Sequence, residues 1–323
     1  MMPWIMTGLG LAILLLAGDV LVRGAVNLSL RIGIPALIVS LTIVAFGTSA
    51  PELLIGISAI HEGKPGLALG NVVGSNTANV LLVLGLPAIL SRMQTSRIDT
   101  KRSYYMMLLA TVGFIGLAFL GPLTWVSGLI LLAGLAVVLG DQVREARCHM
   151  ADGADGKDCT PEADEISDLE GADPDMPWWK IGLYVVLGLV GLPMGADLLV
   201  DNASIIARAY GVSDAVIGLT LVALGTSLPE LATTVMAALR KQADVAMGNV
   251  IGSNLFNLLG IIGVTTLFGT IPVDPEFLQF DLWVMLASAL VLAPFVLFRR
   301  DLGRRWGLVL TALYLGYVTV VLM

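Results

Sequence analysis

Apolar residues fill this chain in blocks of about twenty, set apart by short polar punctuation, and none of the blocks alternates with a period of two. A helix needs roughly 20 apolar residues to cross a bilayer, and it satisfies its own backbone polar groups there. The pattern predicts an all-α polytopic membrane protein with ten transmembrane helices. They fall near residues 3–30, 36–60, 66–90, 103–121, 123–141, 178–207, 214–239, 243–269, 280–298 and 303–322. The first and sixth are long enough to tilt. Residues 4–22 have no basic segment before them and lead straight into further spans, so they read as a retained helix and not a signal peptide. One long polar stretch remains, "QVREARCHMADGADGKDCTPEADEISDLEGADPDMP" at 142–177, and its acidic, Gly- and Pro-bearing composition predicts a flexible linker.

Composition sharpens this. The chain is 57% hydrophobic and 13% charged, against about a quarter charged in soluble domains. Of the eighteen Lys and Arg residues, only Lys64 and Arg208 fall on the face that carries the N-terminus, and the rest lie on the other. The positive-inside rule makes that other face the cytoplasm. The expectation is a multi-pass cell (inner) membrane protein with both termini extracytoplasmic and the 142–177 loop cytoplasmic. The basic residues are spread over loops and leave no nucleic-acid footprint. Cys148 and Cys159 both lie in the linker, too few for a disulfide framework or a zinc site. Asp152, Asp155 and Asp158 are spaced by three, which does not fit an EF-hand loop. His61 and His149 read as isolated surface histidines.

A repeat organises the spans. Moving the sequence by 178 positions lays Asp19 on Asp197, Glu52 on Glu230 and "GNVVGSNTAN" (70–79) on "GNVIGSNLFN" (248–257). Each copy holds five spans, an odd number, so the copies insert with opposite topology. The predicted organisation is a five-helix repeat at 1–141, the linker at 142–177 and an inverted five-helix repeat at 178–323, with helices 2, 3, 7 and 8 interrupted. Inverted repeats with broken helices point to a secondary transporter whose site lies at the repeat interface.

The chemistry sits where the pattern breaks, in "AFGTSAPELL" (45–54) and "ALGTSLPELA" (223–232). Pro51 and Pro229 remove a helical N–H and release a carbonyl. Thr48, Ser49, Thr226 and Ser227 bring hydroxyls, and Glu52 and Glu230 bring carboxylates onto the same helix face. Such hard oxygens suit Na⁺ or Ca²⁺ and not soft metals. A kinked helix with a snorkelling glutamate would explain one copy. A mid-span acid costs roughly 2.5–3.5 kcal/mol on insertion scales, and two at matched positions argue for function. Ser75, Asn79, Ser253 and Asn257 add neutral oxygens one helical turn apart. Asn76 and Asn254 read either as further lining or as interhelical hydrogen bonds. Asp19, Asp197 and Asp201 lack an oxygen cluster and read as packing or helix-end partners.

These paired "GTSxPE" and "GN…GSN" elements resemble the alpha repeats of the cation/Ca²⁺ exchanger superfamily, in its prokaryotic sodium/calcium exchanger branch. The resemblance covers both repeats and the ten-span plan. It implies that Glu52 and Glu230 share a central Ca²⁺, helped by the carbonyls of Thr48 and Thr226. It implies that Na⁺ uses the two glutamates with Ser49, Ser75, Ser227 and Ser253. The carbonyls of Ala45 and Ala223 would complete the outer sodium sites, with Asn79 and Asn257 flanking the middle. Some prokaryotic members carry aspartate where Asn257 stands. The expected function is Ca²⁺ export driven by inward Na⁺ through alternating access, by a monomer without a cofactor. Ca²⁺/H⁺ antiport by the same carboxylates is the alternative, and a cation channel a more distant one. An intramembrane hydrolase is disfavoured, because no base stands beside a serine within the spans.

Overall fold

A computed structural model describes residues 1–154, 173, 175–211 and 223–321. Among them the protein is all-helical, with only two isolated β-bridges. We number the main helices α1 (Met2–Ile32), α2 (Ala36–His61), α3 (Pro65–Leu90), α4 (Lys101–Phe119) and α5 (Trp125–Ala154). They continue as α6 (Trp178–Ala209), α7 (Leu228–Leu239), α8 (Ala243–Phe268), α9 (Phe277–Leu297) and α10 (Arg304–Val321). Eight of these, all but α7 and α10, are long and apolar enough to cross a membrane. Helix α10 starts on two arginines that dilute its apolar face. Helix α7 has 12 residues, and the first part of the predicted 214–239 span lies outside the described residues. So do Cys159, Asp155, Asp158 and most of the predicted linker. One boundary differs from expectation. Helix α5 does not stop at 141 but continues to Ala154. Residues 142–150, "QVREARCHM", carry no proline or glycine and are rich in helix formers, so the predicted linker begins as helix.

The interruptions fall where the prolines stand. Ser49 leaves helical geometry at φ −87°, ψ 5°, and Ser227 does the same at φ −87°, ψ 2°. Pro51 and Pro229 follow in the first turn of the new helix, where a missing N–H costs nothing. Helices α3 and α8 do not break; they widen into π-turns at Asn79–Val83 and Phe256–Ile261. A π-turn sets an asparagine at the matched place in each copy, Asn79 and Asn257, and such turns often mark functional sites.

Helices α1 and α6 form a pair of their own. A Cβ on Gly10 would meet the Leu199 backbone nitrogen at 2.6 Å, and one on Gly195 would meet that of Leu14 at 2.7 Å. Only small residues allow so close an approach between membrane helices. At one end of the pair the Arg31 guanidinium lies 5.8 Å over the Trp178 ring, and the Asp173 N–H donates to the Asn27 side chain at 2.7 Å. The pair packs on the remaining helices through a separate apolar cluster that includes Leu14, Leu21, Val39, Val44, Leu192 and Ala232. A larger cluster holds α3, α4, α8, α9 and α10 together.

One ionic link crosses that seam. Asp19 on α1 forms an ion pair with Arg23 at 3.1 Å and also pairs with Arg240 at the end of α7. The Asp19 and Arg240 side chains are 15% and 13% exposed, so Asp19→Asn removes a nearly buried ionic link. We expect it to destabilise the protein by about 2 kcal/mol, read as a lower thermal midpoint in detergent. An unchanged midpoint would show the link to be ornamental. Asp197 and Asp201 instead lie exposed on α6.

Two backbone clasps tie the connecting loops. Met93 and Leu302 exchange N–H···O bonds of 3.0 and 3.1 Å, and Leu123 and Ile271 exchange bonds of 2.8 and 2.9 Å. They sit at opposite ends of α4. The first is reinforced by Arg92 on Asp301 at 2.8 Å and by the Thr95 hydroxyl on the Arg300 carbonyl at 2.6 Å.

Candidate ion-binding site

The two breaks bring their carboxylates together. Glu52 and Glu230 are 1% and 0% exposed, and they lie close enough for their charges to repel. Each sits in the first turn of a fresh helix, where the helix dipole and unpaired N–H groups favour a negative charge. The Oε2 atom of each is buried with no hydrogen-bond partner. An unpaired polar oxygen at that depth is costly. Two on neighbouring carboxylates form the electrostatic environment that a cation would relieve.

The neighbours are oxygens. Around Glu230 stand the hydroxyls of Thr48, Ser49 and Ser253, with Ser49 donating to Oε1 at 3.1 Å. The Thr48 and Ser253 hydroxyls lie 3.5 Å apart, and Ser227 meets Ser75 at 3.4 Å. All but the Ser253–Glu230 contact join the first half of the chain to the second. Thr48, Ser49, Ser75, Asn79, Thr226, Ser227, Ser253 and Asn257 are all buried. The Ala45 carbonyl already accepts the Ser49 N–H at 3.1 Å and the Thr48 hydroxyl at 3.3 Å, so an ion reaching it would displace the hydroxyl. Ala223 begins a short helical turn, Ala223–Gly225, at the matched place.

The asparagines divide. Asn76 and Asn254 donate to each other's backbone carbonyls at 3.3 and 3.4 Å, so they serve as interhelical ties. Asn79 donates to the Asn254 side chain at 3.1 Å and leaves its own Oδ1 unpaired. Asn257 is fully buried, and neither polar atom of its side chain has a partner.

Two residues of the site were missed by sequence reasoning. The Thr48 hydroxyl donates to Asn249 at 3.4 Å, and the Thr226 hydroxyl donates to Asn71 at 3.3 Å. Both asparagines follow a glycine in the repeated "GN" element, and that paired signal was available. What hid them is distance along the chain: each serves the opposite half.

Chemically the arrangement offers two carboxylates and a set of neutral oxygens in a closed interior. Among the described residues no cluster of three or more Asp, Glu, His or Cys side chains occurs. A site with two negative charges matches one divalent ion or two monovalent ones, and oxygen-only ligation suits hard cations.

Comparison with known proteins agrees with this chemistry. The family described as "Sodium/calcium exchanger protein" matches residues 2–142 and 180–323. A putative antiporter, CaxA, from Alkalimonas amylolytica is 35% identical over 314 residues, 95% of each chain. The sodium/calcium exchanger MaX1 of Methanosarcina acetivorans is 34% identical over 336 residues, covering 97% of this chain and 96% of the relative. The solved structure of the sodium-calcium exchanger NCX_Mj, soaked with Na⁺ and Sr²⁺, superposes with a TM-score of 0.82 at 30% identity, covering 99% of this chain and 98% of that one. The chain is a multi-pass membrane protein that belongs to the sodium/calcium exchanger family.

Proposed function

We propose that this protein exchanges Ca²⁺ for Na⁺ across the cell (inner) membrane by alternating access, with Ca²⁺ leaving as Na⁺ enters. The observation that carries the reading is the buried pair Glu52 and Glu230, each with an unpartnered carboxylate oxygen, with the hydroxyls of Thr48, Ser49 and Ser253 around Glu230. In this reading the two glutamates share Ca²⁺ with the carbonyls of Thr48 and Thr226. Na⁺ uses the glutamates with Ser49, Ser75, Ser227 and Ser253, and then the carbonyls of Ala45 and Ala223. Asn79 and Asn257 flank the centre. One Ca²⁺ neutralises the two carboxylates, whereas the empty site holds two like charges away from water, an expensive form to move. Loaded states therefore cross and the empty one does not, which yields exchange and not leak.

The architecture we propose is ten spans in two inverted repeats, 1–141 and 178–323, joined by 142–177 on the cytoplasmic face, with both termini outside and the monomer as the working unit. It is supported by the 178-residue repeat, by matched breaks at Ser49 and Ser227, and by matched clasps at the two ends of α4. The glycine-packed pair α1 and α6, with its own apolar seam, is suited to move across the site as a unit.

The test is Ca²⁺ uptake into proteoliposomes loaded with Na⁺. Uptake should rise with the outward Na⁺ gradient and vanish when that gradient is collapsed. Uptake that ignores Na⁺ and follows an imposed pH gradient would assign proton coupling instead. Single-channel current without counter-ion would assign a channel.

A further inference from the structure

The two asparagines that sequence reasoning missed are not equivalent, and the difference is informative. An amide side chain offers two donors and an acceptor oxygen. Asn249 uses all of them. Its Oδ1 accepts from Thr48 at 3.4 Å, and its Nδ2 donates to the Glu230 carbonyl at 3.2 Å and to the Thr234 hydroxyl at 3.1 Å. It is fully buried. To turn, it must break three hydrogen bonds in a medium with no water to replace them. Asn71 makes the matching bond to Thr226 at 3.3 Å, but its Nδ2 is buried without a partner.

The cause lies in the sequence. The residue matched to Thr234 in the first half is Gly56, which has no hydroxyl to offer. A Cβ at Gly56 would lie 2.9 Å from the Thr265 Oγ1, so a side chain there would require Thr265 to shift. Asn71 therefore contributes a single hydrogen bond to its arm of the site, and Asn249 knots together an arm from the first half with the backbone of Glu230 in the second.

We propose that Asn249 and Asn71 are positioning residues for the ion-ligating arms, and that they act unequally: Asn249 ties the Thr48–Glu230 side through three hydrogen bonds, and Asn71 adds a single one to the Thr226 side. The proposal rests on the exchange reading above. A site that must take both a divalent ion needing six to eight oxygens and smaller sets for Na⁺ has to rearrange part of its ligand shell. Asn249 keeps the Thr48–Glu230 part of that shell in place while it does.

The experiment is Ca²⁺ uptake into Na⁺-loaded proteoliposomes, with the amount of folded protein measured for each variant. Asn249→Ala should raise the Ca²⁺ concentration for half-maximal uptake about tenfold, the effect of losing a group that orients ion ligands. The maximal rate per folded molecule should stay within about twofold, as expected when binding and not the crossing step is altered. Asn71→Ala should raise half-saturation about threefold, less than Asn249→Ala, having only one bond to lose. Thr234→Val should raise it about threefold by cutting one of three ties, and Thr234→Ser should restore the ordinary value.

Equal shifts for Asn71→Ala and Asn249→Ala would overturn the proposal. So would an Asn249→Ala protein that loses yield or melting temperature while its half-saturation stays put, because that is the mark of a purely structural tie. If Asn249→Ala does not fold, the Thr234→Val and Thr234→Ser pair decides, and identical half-saturation in the two overturns it. Glu230→Gln run alongside separates the levels. Wild-type flux that Glu230→Gln abolishes, without the asparagine shifts, removes this proposal and leaves exchange standing. No Ca²⁺ flux in the wild type removes both.

Discussion

Glu230→Gln is expected to abolish Ca²⁺ flux, and Glu52→Gln to do the same, while each protein still folds and inserts. The expectation follows from charge and burial. In the proposed exchange, both carboxylates together neutralise a bound Ca²⁺ in a buried, low-dielectric surrounding. Glutamine keeps the volume but removes one unit of charge, leaving a divalent ion half compensated where water cannot help. Breaking a buried charge pairing of this kind costs about 3–5 kcal/mol, or more than a hundredfold in binding. Folding should survive, because among the described residues no salt bridge uses either glutamate and a neutral amide relieves their mutual repulsion. The measurement is radiolabelled Ca²⁺ uptake driven by a Na⁺ gradient, with thermal melting in detergent as the control. Ordinary flux in either variant would remove that residue from the site.

The second large effect is predicted away from any charge. Gly252 on α8 packs directly on the backbone of α2: a Cβ there would meet the Leu41 carbonyl oxygen at 2.4 Å and the Ala45 Cβ at 2.6 Å. Gly248 one turn earlier would meet the Leu37 carbonyl oxygen at 2.8 Å. The Ser40 hydroxyl, donating to the Val245 carbonyl at 2.7 Å, fastens the same seam. This close approach is what holds Thr48 within reach of Asn249 and Ser253. Gly252→Ala should cost about 1–3 kcal/mol, the usual penalty of overpacking a tight contact. Gly252→Val, which cannot be absorbed by a small shift, should give no transport. Melting curves and flux on the same preparations test this. Ordinary stability and flux in Gly252→Val would mean that α2 and α8 need not touch for the site to form.

Much of the candidate site was legible without coordinates. Pro51 and Pro229, each beside a carboxylate in an apolar run, announce broken helices because proline lacks the N–H that a membrane helix cannot otherwise replace. The structure breaks both at the preceding serine with nearly the same dihedral angles. Other features were less legible. The end of α5 at Ala154 was hidden by polarity, since a helix leaving the membrane keeps its propensity but loses its apolar signal. Asn76 and Asn254 read equally as lining or as ties, and only their reciprocal bonds to each other's backbone decide for ties. Asp19 gave no hint of Arg240, because the two are 221 positions apart.

By itself the sequence determined the solvent of this protein, its helical state, its repeat and the identity of the two acidic residues. Each of these follows from local composition or from comparing the chain with itself: runs long enough to cross a bilayer, a proline next to a glutamate, the same words at a constant offset. The tertiary structure alone decided which half serves which. The Thr48 arm is held by Asn249 of the far repeat, and Glu230 is hydrogen-bonded by Ser49 of the near one. It also decided that the matched positions Thr234 and Gly56 would make the two halves unequal. Hydrogen bonds and close packing act across space at about 3 Å, and no periodicity along the chain encodes which distant atoms will come that near.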